Sequence, residues 1–233
     1  MQIFYTINVS EGKAHFSREE SGHCLRVLRM KHGESISFTD GKGNMYEGMI
    51  TDDNPAAMTA AVSSVRREAI RGYRLHIAIS PVKNDDRLEW FIEKAVETGI
   101  DEITPLICSR TEKKRIRKER LEGLMLSAIK QSVKCVLPQL NEPVSFSEFI
   151  AGIHPGKRLI ACCDEDIRRL AITSAFSRGE EVTILKGPEC DLTPEEVSLA
   201  MQYGFTAVHI GPSRLRTETA GVAACCSVYL ANI

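Results

Sequence analysis

The chain has 233 residues, long for one ordinary domain and comfortable for two. Its 30 lysines and arginines nearly balance 31 aspartates and glutamates, so the net charge of −1 excludes a uniformly basic nucleic-acid binder and leaves any basic face to uneven placement of charge. No apolar run reaches membrane-spanning length, the N-terminal MQIFYTINVS lacks the regions of a signal peptide, and the eight cysteines form no Cys-x-x-Cys pair; the expectation is a cytoplasmic protein with reduced thiols and no metal site.

The first seventy residues read as short strands with one helix. Strands are predicted at 2–6, 35–39, 45–51 and 58–65, broken by turn signals at Lys31-His32-Gly33, Asp40-Gly41-Lys42-Gly43 and Asp52-Asp53-Asn54-Pro55. Leu25 and Leu28 stand at helical spacing within 21–30. So many short strands in so short a segment predict a small β-barrel domain over 1–70, with the boundary in the polar stretch 66–73.

From Tyr73 the pattern changes. The β-rich runs RLHIAIS, ITPLIC, RLIACC, EVTILK and FTAVHI alternate with helical segments. Leu88, Phe91, Ile92, Ala95 and Val96 make a helical stripe that stops at Gly99, and 116–133 and 217–230 also read as helices. Strand–helix alternation predicts an α/β domain over 71–233 with a mostly parallel sheet covered on both faces.

Ligands of such sheets bind beyond the carboxyl ends of the strands. Three loops qualify: Cys163-Asp164-Glu165, then 186–191 with Gly187-Pro188-Glu189, then 211–220 with Arg214, Leu215, Arg216, Glu218, Thr219 and Ala220. None has the glycine spacing of a dinucleotide or phosphate loop, which argues against a Rossmann cofactor and against ATP. Thr193, Pro194 and Glu196 have the spacing of a capped helix start, so Gly187-Pro188-Glu189 reads either as an ordinary strand-to-helix turn or as a ligand loop. Arg216 and Glu218 read either as chemical groups or as an ion pair fixing the helix entry. Trp90 reads better as packing or a dimer contact than as a base-stacking platform.

The sequence features GPE followed by L-T-x-x-E, and I-G-P-S-R-L-R-T-E-T-A near the C-terminus, resemble the cofactor loops of RNA methyltransferases with a trefoil-knotted α/β domain. His23, Val27-Leu28-Arg29 before Gly33, Lys83-x-x-x-Arg87, the run 93–99, Gln131-Ser132 and Leu137-Pro138 resemble the bacterial family that methylates N3 of a uridine in small-subunit (16S) ribosomal RNA. The resemblance spans essentially the whole chain. It implies a PUA-like RNA-binding barrel, then a knotted domain that dimerises and binds S-adenosylmethionine.

Carried onto this chain, the resemblance implies that Cys163, Gly187, Pro188, Glu189, Ile210, Gly211, Leu215, Arg216, Thr219 and Ala220 border the cofactor. Arg216 would stabilise charge on the reacting uracil and Glu218 would be the candidate base. Glu189 or Asp191 would favour the cationic sulfonium. Arg26, Arg29 and Lys31, and the run Lys113, Lys114, Arg115, Arg117, Lys118 and Arg120, would grip RNA phosphates, against the alternative of a solvated charged face. Two departures stand out: Cys190 and Asp191 replace the usual glycines after the glutamate, with Leu192 for the usual aromatic, and Arg214 replaces an aliphatic residue. The rival functions are methylation of a ribose 2′-hydroxyl and a non-catalytic, RNA-binding role in ribosome assembly.

Overall fold

The computed structural model describes residues 2–69, 71–164 and 166–233. Ile70, inside the expected boundary, and Glu165, in the first expected loop, lie outside the described residues. The chain divides into two units: residues 1–70 with 126–137, and residues 71–125 with 138–233. That segment 126–137 joins the first unit is not announced by any change of pattern in the sequence.

The first unit holds strands β1 (Ile3–Tyr5), β2 (Asn8–Ser10), β3 (Lys13–His15), β4 (Ser35–Thr39), β5 (Asn44–Asp52) and β6 (Thr59–Arg67), in the order β1-β4-β5-β6-β3-β2. Only β1 and β4 pair parallel. Phe4 of β1, Ala14 of β3, Phe38 of β4 and Ile50 of β5 meet in one core, so the sheet curls around it. Phe16 meets Phe38 edge-on with ring centroids 5.2 Å apart, and Tyr46 stacks on Phe38 at 5.0 Å. The hairpin β2–β3 was not expected; its turn is Glu11-Gly12, both at positive φ, a weaker signal than Asn-Gly or Asp-Gly.

The helix expected over 21–30 is two pieces. Helix α1 (Arg18–Gly22) starts at Ser17, whose hydroxyl accepts from the Glu20 amide, and a single π-helical turn follows over His23–Val27. Arg29, at a φ of 59°, ends it. The buried Glu20 accepts from the Tyr5 amide and pairs with Lys130.

In the second unit every strand pairing is parallel. Strands β7 (Arg74–Ile79), β8 (Glu102–Ile107), β9 (Gln139–Leu140), β10 (Val144–Ser145), β11 (Lys157–Ala161), β12 (Leu170–Ala171), β13 (Glu181–Lys186) and β14 (Thr206–His209) run in the order β10-β8-β7-β13-β11-β14-β12, with β9 beside β8. The late strand β13 sits between the early strand β7 and β11.

Helix α2 (Asp85–Thr98) is capped by the Asn84 side chain and stops at Gly99, whose φ of 91° suits glycine. Helix α3 (Lys118–Gln131) runs from the second unit into segment 126–137. Helices α4 (Phe146–Ala151) and α5 (Pro194–Gln202) each begin with a full capping box, Ser145 with Glu148 and Thr193 with Glu196. Their apolar sides share a core with Ala78, Leu106 and Leu185. Helix α6 (Thr217–Ala231) packs against α2, β7 and β13. Gly221 permits that approach, because a Cβ there would lie 2.6 Å from the Phe91 ring. Among the described residues no helix is long and apolar enough to cross a membrane.

Candidate functional site

The three strand-end loops converge. At the end of β11 the Cys162 amide donates to the Val208 carbonyl, tying this loop to β14. At the end of β13 the chain turns sharply. A Cβ on Gly187 would meet the Leu192 side chain at 2.6 Å, so only glycine lets Leu192 fold back into the core. The Thr217 hydroxyl, at the start of α6, donates to the Gly187 carbonyl over 3.3 Å and joins the second loop to the third. Glu189 accepts from the Lys83 amide at 3.2 Å.

Between these loops lie two adjoining clefts, of about 50 and about 510 Å³. Cys163, Ile210, Gly211, Leu215 and Ala220 line the smaller; Cys163, Pro188, Glu189, Gly211 and Leu215 line the larger. Gly211 has a φ of 145° and nothing within 4 Å of where a side chain would be, so its backbone is open to a ligand. Of the other expected cofactor residues, Gly187 shapes the loop from behind, and Arg216 and Thr219 do not line either cleft.

Sequence reasoning missed Arg169, His209 and Ser213, and saw Lys186 only as the start of a loop. Lys186 is buried and shares the cleft wall with Arg169, whose guanidinium donates to the Cys162 carbonyl at 3.0 Å. Burial, reinforced by the Asp191 charge, raises the Cys162 thiol above its ordinary value, so it is no thiolate nucleophile.

Arg216 is exposed and is the N-cap residue of α6, and among the described residues it makes no ion pair or hydrogen bond through its side chain. Glu218 is buried, and its ionic partner is Arg87 of α2, 3.7 Å away, not Arg216. Its Oε2 is the one buried side-chain polar atom without a hydrogen bond among the described residues. The structure therefore brings the two candidate catalytic residues to one helix start but not to one charge pair.

The basic groups differ from one another. Arg26, Arg29 and Lys31 are exposed around the π-helical turn. In the second group Lys113 pairs with Asp85, Arg117 with Asp85 at 3.0 Å, and Arg120 with Glu89. Hydrogen bonds from Lys113 and Arg120 hold the Asp85 and Glu89 carboxyls below their usual range. Lys114 and Arg115 are exposed and make no ion pair among the described residues.

A separate cavity of about 430 Å³ lies at the opposite ends of the strands, where β7, β8 and β13 begin. There His76 Nε2 is 2.7 Å from the Thr104 hydroxyl, and the Asn141 side chain donates to both Thr104 and Glu102. Burial lowers the His76 pKa to about 4, outweighing the raising effect of nearby Glu102. Among the described residues no group of three or more His, Cys, Asp or Glu side chains is arranged to hold a metal ion.

Comparison with known proteins places this geometry. Residues 71–229 match the family described as RNA methyltransferase domain, and residues 16–60 match the RNA methyltransferase PUA domain. The chain is 26% identical to Ribosomal RNA small subunit methyltransferase E of Bacillus subtilis, over 87% of this chain and 84% of that protein. It superposes on the crystal structure of a probable rRNA-methyltransferase from Porphyromonas gingivalis with a TM-score of 0.93 and 36% identity, covering 100% of this chain and 98% of that one. A Ribosomal RNA small subunit methyltransferase E from Neisseria gonorrhoeae, solved bound to S-adenosyl methionine, matches with a TM-score of 0.81 and 25% identity, covering 97% and 96%.

Proposed function

Because the chain belongs to the RNA methyltransferase domain family, we propose that it transfers a methyl group from S-adenosylmethionine to N3 of a uridine in small-subunit ribosomal RNA. The observation that carries this reading is the convergence of three strand-end loops on one cleft whose floor includes the open backbone of Gly211. Sequence relatives and a structural neighbour named for small-subunit ribosomal RNA methylation support the substrate class.

Cys163, Pro188, Glu189, Gly211, Leu215 and Ala220 would hold the cofactor. When bound, it supplies an electrophilic methyl group. The chain's own task is to exclude water, align N3 of the uracil with that methyl and stabilise the charge left on the ring oxygens as the N3 proton departs. Arg216, uncommitted at the mouth of α6, is placed for the last role. Glu218 lines neither cleft and already faces Arg87, so it is a weaker candidate for the base than its place in the motif implies.

Incubating the protein with cofactor and small ribosomal subunits that lack the modification, then mapping new methyl groups by mass spectrometry, tests the reading. A methyl on a ribose 2′-oxygen instead of uracil N3 would favour the first rival, and no methyl on any nucleotide would favour the non-catalytic one. The reading extends to a homodimer in the cytoplasm, where ribosomal subunits are found. Trp90 on α2 and Tyr229, Leu230 and Ile233 at the C-terminus are exposed apolar groups suited to a second copy. Sedimentation at micromolar concentration is expected to show two chains; a monomer would contradict it.

RNA contact by the second basic group should rest on Lys114 and Arg115, since Lys113 and Arg117 are already neutralised. Replacing both Lys114 and Arg115 with alanine is expected to flatten the logarithmic salt dependence of RNA binding by about two units, roughly one per lost phosphate contact. Cofactor affinity should be unchanged. A slope equal to that of the unaltered protein would mark the run as a solvated face.

A further inference from the structure

We propose that Lys186 is a specificity-determining residue that reads the carboxylate at the amino-acid end of the cofactor, and that Asp191 holds it in place to do so. This rests on the cofactor reading above. Lys186 is the last residue of β13, with a side chain only 8% exposed, yet it lines both clefts. An ammonium has three donors. Among the described residues one of them is taken, by Asp191 Oδ1 at 3.1 Å. No second hydrogen bond from this ammonium occurs among the described residues, and a buried charge with unfilled donors beside a cleft favours an anionic ligand.

Asp191 is fixed for this task from three directions. Its Oδ2 accepts from the Cys163 amide at 2.7 Å, which ties it to the loop after β11. Its own amide donates to the Pro188 carbonyl at 3.0 Å. Its backbone sits at a φ of 61°, a left-handed conformation that aspartate tolerates better than most residues. The carboxylate therefore bridges two strand ends and points the Lys186 ammonium rather than competing for the sulfonium. The result is a buried ion pair whose ammonium keeps unfilled donors at the cleft wall. The only anionic group of S-adenosylmethionine is its carboxylate, so that is the group the cleft selects.

Calorimetry with two ligands that differ in that group alone tests this: S-adenosylmethionine and its decarboxylated analogue. The unaltered protein should prefer S-adenosylmethionine by about ten- to a hundredfold, as expected for charge-assisted hydrogen bonds from a buried cation. Lys186→Met should bind both compounds equally, at the affinity the unaltered protein shows for the analogue. Lys186→Arg should retain part of the preference. If Lys186→Met fails to fold, Lys186→Met with Asp191→Asn removes the lone carboxylate and carries the same expectation. A preserved preference in either variant overturns the proposal, as does loss of the preference in Arg169→Gln with Lys186 intact. Equal binding of the two compounds by the unaltered protein also overturns it while leaving the cofactor reading standing. Binding of neither would instead overturn the cofactor reading.

Discussion

Replacing Arg216 with lysine should slow methyl transfer about a hundredfold while S-adenosylmethionine affinity stays nearly the same, the loss typical of a transition-state donor. The substitution keeps the charge and removes the planar fork that addresses a uracil oxygen from two donors. The alternative, in which Arg216 fixes the helix entry by pairing with Glu218, loses its basis in the structure, because Glu218 faces Arg87 and Arg216 is exposed at the cap. Arg216 also lies outside the cleft walls, so its change should not disturb cofactor binding. Single-turnover assays at saturating RNA separate the outcomes. A near-normal rate would remove Arg216 from the chemistry, and a joint fall in cofactor affinity and thermal stability would return it to a structural role.

The second large effect concerns stability and pH. His76 is held neutral, with a folded pKa of about 4 against an ordinary value of 6.5, mainly because it is buried. A depressed folded pKa means that the unfolded chain takes up the proton first. The contribution is fully present above pH 6.5 and is lost as pH falls through the window from 6.5 to 4. The difference in pKa corresponds to roughly 3 kcal/mol at the acid end. Denaturant unfolding of the protein and of His76→Gln, compared at steps between pH 7 and pH 4, should give curves that diverge through that window, with the histidine protein losing more. Parallel curves would mean that His76 protonates without strain in its place beside Thr104 and Glu102.

Local signals in the sequence were reliable where one segment determines its own shape. Strand EVTILK occupies 181–186 as predicted, the stripe ending at Gly99 is α2, and Thr193, Pro194 and Glu196 form the capping box their spacing implied. Each depends on neighbours within a few residues. The failures depend on distant partners. The 21–30 segment became α1 and a π-helical turn because Ser17 starts the helix earlier, with the buried Glu20 anchored to Tyr5 and Lys130. The basic run looks uniform, yet Asp85 and Glu89 on another helix pair with Lys113, Arg117 and Arg120, and Glu142 pairs with Lys118, which leaves Lys114 and Arg115. Asp191 looked like an intrusion in a glycine loop, and only its contacts with Lys186 and the Cys163 amide give it a purpose. Pairing across the fold has no periodicity, so the residue types were visible and their assignments were not.

The return of segment 126–137 to the first unit constrains the order in which the protein is made. Until Lys130 emerges from the ribosome, the buried Glu20 carboxylate lacks its counter-charge. Until Cys135 and Leu137 follow, the Glu68 carboxylate, the Gly43 amide and the Gly41 carbonyl lack the partners they have in the folded unit. The N-terminal seventy residues therefore emerge first but finish folding late. Chain growth at about 5–20 residues per second leaves several seconds in which their sheet lacks the contacts of segment 126–137. An amber stop anywhere between residues 71 and 126 releases a fragment that contains every strand of the first unit and none of segment 126–137.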